Sequence, residues 1–154
     1  MFKDIIPVLF DQQLCEQIVA KMISDLNGIV PDKIAAIESR GFLFGMMLAN
    51  KLQIPFVPIR KAGKLPYKTY KHSYQLEYGS AEIEMHVDAI KEGDKVLIHD
   101  DLLATGGTAA AAAHLINLAG GVTSSFSFII NLGFLNGSKP LLGYSPNINC
   151  LATY

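Results

Sequence analysis

The stretch Asp100-Asp101-Leu102-Leu103-Ala104-Thr105-Gly106-Gly107-Thr108 decides how this chain is read. It follows residues 95–99, a run of Val, Leu and Ile with the character of a buried strand, and it runs into residues 106–118, an alanine-rich helix stopped by Gly120-Gly121. Strand, glycine-rich loop and helix in that order make an anion site. Glycines let successive backbone N–H groups converge on phosphate oxygens, the Thr105 and Thr108 hydroxyls add donors, and the helix start contributes partial positive charge. Asp100 and Asp101, at the acidic end of the loop, are suited to accept hydrogen bonds from sugar hydroxyls. No Lys follows the glycines, as a nucleoside-triphosphate loop requires, and no separated G-x-G-x-x-G is present. Adjacent strand residues point to opposite faces, so His99-Asp100-Asp101 does not read as a metal cluster, and His99 is expected to be buried or to stand behind the site. His72, His86 and His114 show no ligand spacing.

Outward from the loop, strands and helices alternate. Asp11 reads as the N-cap of a helix with Leu14, Ile18, Met22 and Leu26 on its apolar stripe, widened by Val19 and Ile23 and ended by Asn27-Gly28. Residues 33–37 and 56–59 read as strands, with a helix over 41–52 between them carrying Phe44, Leu48 and Leu52. Residues 61–74, dense in Lys, Tyr, Gly and Pro, read as a long exposed, mobile loop. Residues 74–77 and 81–87 suggest a hairpin turning at Tyr78-Gly79-Ser80, and strands follow at 122–130 and 148–152. The pattern predicts an α/β fold, a mostly parallel sheet flanked by helices, with ligands at the carboxyl ends of the strands.

With 154 residues, half of them apolar, the chain supports one domain over 1–154 with a hydrophobic core of its own. A net charge of −1 gives no footprint for nucleic acid or an anionic membrane, so the partners should be small molecules or a second copy. Cys15 and Cys150 are too few for a disulfide framework and read as free, packed thiols. Residues 1–5 lack the charged-then-apolar pattern of a secretion signal and no apolar run approaches membrane-spanning length, so a cytoplasmic location is expected.

The 100–108 segment resembles the phosphoribosyl pyrophosphate signature of the type I phosphoribosyltransferases, and its wording is similar to the adenine-specific branch. Glu38-Ser39-Arg40-Gly41-Phe42-Leu43-Phe44-Gly45, Ile59-Arg60-Lys61-Ala62-Gly63-Lys64-Leu65-Pro66 and Leu76-Glu77-Tyr78-Gly79 resemble adenine phosphoribosyltransferases in the same order and spacing. The resemblance spans about Phe2 to the end. It implies the type I phosphoribosyltransferase fold with a flexible loop and hairpin over the site, and an enzyme of purine salvage that joins adenine to phosphoribosyl pyrophosphate, giving AMP and pyrophosphate. It also implies a homodimer, and Mg²⁺ carried by the substrate, in line with the preference of that ion for phosphate partners and water over all-protein cages.

The resemblance implies these roles. Ser39 and Arg40, where the first strand meets its helix, bind pyrophosphate, with a non-proline cis peptide at Ser39-Arg40. Arg60, Lys61 and Lys64 also face pyrophosphate, and Ile59-Arg60-Lys61 reaches a neighbouring subunit's site. The ribose and its 5′-phosphate are taken by Asp100, Asp101, Ala104, Thr105, Gly106, Gly107 and Thr108. Glu77, in the catalytic loop and hairpin start of residues 61–80, exchanges a proton with the purine near N7. Leu132 lies against one purine face, and Phe2 and Lys3, in a hood of residues 1–10, cover the other.

The chain departs from the family at two points. Members carry a further Phe-Pro-rich segment before the hood whereas this chain starts at Met1, so either a shortened, less covered hood or a truncated chain is expected; and Asn131 stands where a glutamate is common. Three other readings compete: transfer to another nucleobase, which keeps the phosphate loop but wants a different base-side segment; a non-catalytic module sensing phosphoribosyl pyrophosphate, against which Arg40 and Glu77 argue; and a plain structural domain, which leaves the 100–108 constellation unexplained.

Overall fold

Asp11 accepts a hydrogen bond from the Leu14 N–H at 3.0 Å and caps α1 (Gln12–Ser24), as its place before an apolar-periodic run dictates. The computed structural model describes residues 4–154, so Phe2 and Lys3 lie outside the described residues. A 3-10 turn over Ile6–Phe10 precedes α1. The helix buries Cys15, Val19 and Met22, and Leu26 continues the stripe past its end. Leu14, expected on the buried stripe, is exposed because the stripe runs through Cys15, Val19, Met22 and Leu26, with Ile18 at its margin.

Asn27 (φ 50°) and Gly28 (φ 85°) reverse the chain into β1 (Lys33–Ile37). Then come α2 (Gly41–Leu52), β2 (Phe56–Lys61), β3 (Thr69–Gln75), β4 (Ser80–His86), β5 (Lys95–Leu103), α3 (Gly107–Leu118), β6 (Val122–Asn131) and β7 (Ile148–Thr153). One seven-stranded sheet has the order β3-β4-β2-β1-β5-β6-β7. The five strands from β2 to β7 in that order run parallel, and β4 is antiparallel to both β2 and β3.

Period-two alternation splits the core between the two faces of the sheet. Ile34, Leu97 and Ile129 pack with Phe44 and Leu48 of α2 and with α1, whereas Ala35, Ile37, Val57, Ile59 and Ile98 pack with Ala112, Leu115 and Ile116 of α3. Close approach is enforced by small residues: a Cβ on Gly45 would lie 2.6 Å from the Ala36 Cβ, so α2 rests directly on β1.

Three sequence expectations are corrected. The long loop of residues 61–74 is short, because β3 begins at Thr69; Tyr70, His72 and Tyr74 face α3 half-buried while Lys71, Ser73 and Gln75 are exposed, an alternation that polar-tipped side chains conceal. The hairpin turn sits at Leu76–Gly79, closed by the Leu76 N–H on the Gly79 carbonyl at 2.9 Å. The β5 strand extends four residues past His99, since Leu102 and Leu103 continue its pairing with β6, so Asp100 and Asp101 are strand residues rather than loop residues. The carboxyl ends of β1, β5 and β6 nevertheless open on one edge, where Ser39, Ala104 and Leu132 follow them.

Candidate active site

Ala104, Thr105 and Gly106 join β5 to α3, and their shape is set by contact with a second loop. Gly106 has φ 81°, and a Cβ there would lie 2.1 Å from the Gly137 carbonyl oxygen; a Cβ on Gly137 would lie 2.1 Å from the Ala104 carbonyl oxygen. Each glycine therefore makes room for the other's loop, and Gly137 is a site-shaping residue that sequence reading missed. The loop, with Asp100 and Phe128 beneath it, encloses a small cavity of about 70 Å³. The first N–H groups of α3 have no partner within the helix and start at this loop, which suits it to a phosphate dianion. Thr105 is exposed, and the Thr108 hydroxyl lies 3.0 Å from the Tyr74 hydroxyl, to which it donates.

Below the loop, Asp101 is 4% exposed and its Oδ2 lies 2.9 Å from the Arg40 Nε. Asp100 accepts the Asp101 N–H at 2.8 Å. Burial, and the negative charge of Asp101 beside it, push the Asp100 carboxyl well above the usual aspartate range. The pair thus resists two full charges, and its one ionic partner among the described residues is an arginine. Pairing through Nε alone leaves the rest of the half-buried guanidinium fork for a second anion. Arg40 also precedes Gly41 at the start of α2, whose Cβ position is 3.0 Å from the Asp100 carboxylate, so the two strand-end segments touch. The cis peptide is Glu38-Ser39, one bond earlier than expected.

Arg60 is committed within the protein. Its Nη2 donates to Glu38 Oε1 at 3.0 Å and its Nη1 to the Lys64 carbonyl at 3.3 Å, while the Lys61 N–H donates to Glu38 Oε2. The Arg60 guanidinium, aided by the Lys61 N–H, holds the Glu38 carboxyl below its ordinary value despite burial. Arg60 therefore shapes the segment from which exposed Lys61 and Lys64 extend. Sequence reading missed Glu84, which is 1% exposed and accepts the Lys64 and Leu65 N–H groups at 2.9 and 2.7 Å and the Thr69 hydroxyl at 3.2 Å. Burial alone would raise its carboxyl; these donors, with the Gly63 N–H, outweigh burial and lower it. Its signal was a lone carboxylate between Ile83 and Met85, both buried.

Glu77 lies exposed in the hairpin turn, two residues past Gln75, whose carbonyl lies 3.9 Å from a Cβ position on Gly107. Leu132 is half-buried beyond β6, and its N–H donates to the Leu103 carbonyl at 2.9 Å, tying the end of β6 to the strand that carries the glycine-rich loop. Ser39 is exposed at the start of the turn into α2. His99 is fully buried, as expected, with Nδ1 2.9 Å from the Ser127 carbonyl; burial lowers it to about 4. Asn131 reaches Thr153. Cys15 and Cys150 are free thiols, Cys15 buried and Cys150 half-buried.

The sequence matches the phosphoribosyl transferase domain family over residues 8–123. It is 50% identical over 154 residues to an adenine phosphoribosyltransferase of Cytophaga hutchinsonii, covering all of this chain and 85% of that protein, and 50% identical over 156 residues to one of Francisella philomiragia, covering 100% and 88%. Among solved structures, the adenine phosphoribosyltransferase of Thermoanaerobacter pseudethanolicus superposes with a TM-score of 0.95 at 48% identity, over 99% of this chain and 88% of that one. That of Saccharomyces cerevisiae, complexed with adenine and an imino-altritol bisphosphate, gives 0.90 at 37% identity, over 98% and 86%. A strand, anion loop and helix set beside an arginine-paired aspartate thus coincide with likeness along the whole chain, and the chain belongs to the phosphoribosyl transferase domain family, in its adenine phosphoribosyltransferase branch.

Proposed function

We propose that this enzyme makes AMP and pyrophosphate from adenine and magnesium-bound phosphoribosyl pyrophosphate, with its site residues acting as follows. The 5′-phosphate sits on the backbone N–H groups of Ala104, Thr105, Gly106 and Gly107 and on the Thr105 and Thr108 hydroxyls. Asp100 and Asp101 orient the ribose hydroxyls. The free edge of the Arg40 fork, the Ser39 segment and the Lys61 and Lys64 ammonium groups hold the pyrophosphate, and Arg60 holds the segment bearing both lysines. Mg²⁺ arrives on the substrate's oxygens, since Asp101 is already paired with a cation and Asp100 disfavours ionisation.

As adenine N9 forms its bond to ribose C1, the bond from C1 to the pyrophosphate oxygen breaks, through an oxocarbenium-like state. The leaving pyrophosphate takes the bonding electron pair, and the Glu77 carboxylate accepts the proton released from the purine. Leu132 packs against one purine face. In this reading the enzyme works as a homodimer, as the family resemblance implies.

The observation that carries this reading is the Ala104–Thr108 loop closing a cavity over Asp100, the strand neighbour of the Arg40-paired Asp101. The test is pyrophosphate release with adenine, hypoxanthine, guanine and orotate, each with and without Mg²⁺. Release with adenine alone, and only with Mg²⁺, is expected; equal turnover with another base overturns the base assignment.

A further inference from the structure

The hairpin bearing Glu77 is docked on the anion loop by side chains outside the signature segments. The Tyr74 hydroxyl is 3.0 Å from the Thr108 hydroxyl, and a Cβ position on Gly107 lies 3.6 Å from Tyr74 Cδ2 and 3.9 Å from the Gln75 carbonyl, so the end of β3 packs on the first residue of α3. One pleat earlier on the same face, His72 stacks on His114 of α3 with ring centroids 4.0 Å apart. A whole edge of the hairpin therefore rides on the helix whose N-terminus holds phosphate.

Resting on the proposed function, we infer that Tyr74 is a positioning residue through which an occupied 5′-phosphate site holds the Glu77 hairpin in place. A hydroxyl has one proton and two acceptor lone pairs. Without ligand, Thr108 donates to Tyr74. A phosphate dianion draws the Thr108 proton to itself, and the phenol then donates to the Thr108 oxygen, giving a chain from tyrosine through threonine to phosphate. The charged end strengthens that chain, and its links polarise one another. Phosphate binding thus tightens the contact between β3 and α3, and Glu77, three residues beyond Tyr74, is carried with it. No proton leaves the chain, and the bond-making chemistry is unaltered.

Tyr74→Phe tests this, because it keeps the packed ring and removes only the hydroxyl. Hydrogen exchange of residues 69–80 is followed in the full chain with saturating ribose 5-phosphate, and separately with pyrophosphate, which has no 5′-phosphate. In the wild type, ribose 5-phosphate is expected to slow exchange in the hairpin. In Tyr74→Phe its affinity should fall about fivefold, the equivalent of one neutral hydrogen bond, and the slowing should be lost at saturation, with pyrophosphate affinity unchanged. Tyr70→Phe, on the same strand face, should behave as wild type. Equal protection in Tyr74→Phe, a wild-type hairpin insensitive to ribose 5-phosphate, or an equal loss of pyrophosphate affinity would each overturn the inference. AMP formation by the wild type separates these results from failure of the functional reading: if AMP forms and the hairpin ignores the phosphate, only the role of Tyr74 is wrong.

Discussion

Arg40 Nε and Asp101 Oδ2 lie 2.9 Å apart and join the start of α2 to the end of β5, so one ion pair ties the segment proposed to hold pyrophosphate to the strand proposed to hold ribose. The partners differ in exposure: the Arg40 side chain is 32% exposed and that of Asp101 only 5%. Removing the arginine leaves a buried carboxylate without its cation.

Arg40→Ala is therefore expected to lower stability by about 1–3 kcal/mol, and to weaken pyrophosphate binding as well. Adding Asp101→Asn to it should recover most of the stability, because the buried charge is gone, while pyrophosphate affinity stays low. Denaturant midpoints and calorimetry with magnesium pyrophosphate check both halves. If the double variant regains pyrophosphate affinity, Arg40 acts only on Asp101.

Glu77→Gln keeps shape and some hydrogen bonding but cannot exchange a proton. Its kcat is expected to fall by about 10²- to 10⁴-fold, with phosphoribosyl pyrophosphate binding retained. Glu82→Gln is the control, since the Glu82 carboxylate accepts from Ser73 on the exposed face of the hairpin. Equal losses in a coupled assay would trace the effect to the hairpin as a whole.

Glu84→Gln is expected to raise the KM for phosphoribosyl pyrophosphate about tenfold and to leave that for adenine unchanged, because its N–H donors belong to the segment that presents Lys61 and Lys64. Its folded-state ionisation lies below the ordinary 4.5, so its stabilisation is complete above that pH and is lost as pH falls through the lowered folded value. Initial-rate kinetics with each substrate varied, and acid denaturation curves, test this; an equal rise in both KM values would show general loosening.

His99 gives a pH dependence of the same sign in a higher window. Buried and lowered from 6.5 to about 4, it binds fewer protons folded than unfolded, so its contribution is complete above pH 6.5 and is lost as pH falls towards 4. The loss amounts to about 3 kcal/mol. His99→Asn, whose amide can donate to the Ser127 carbonyl and does not titrate, should flatten the melting temperature between pH 5 and 7.5. An unchanged slope would assign the acid sensitivity elsewhere.

The parallel sheet, two of its helices nearly to the residue, and the glycine-rich turn between β5 and α3 were legible in one dimension, because these rest on local chemistry: apolar periodicity, caps, and glycines between a strand and a helix. Neither β3 nor the true length of β5 was legible there, because the inward tips of Tyr70, His72 and Tyr74 are polar and because Asp100 and Asp101 look like loop residues until β6 is placed beside them. Which charges were already paired became visible only once the chain was folded. Arg60 and Arg40 read identically as pyrophosphate ligands in one dimension, yet Arg60 is bound to Glu38 and the Lys64 carbonyl, whereas Arg40 meets Asp101 through Nε alone. Glu84 and Gly137 were silent for the same reason: the loop N–H groups one accepts and the carbonyl the other makes room for are distant in sequence, and a buried charge or a missing Cβ acquires a purpose only when the chain brings its partner to it.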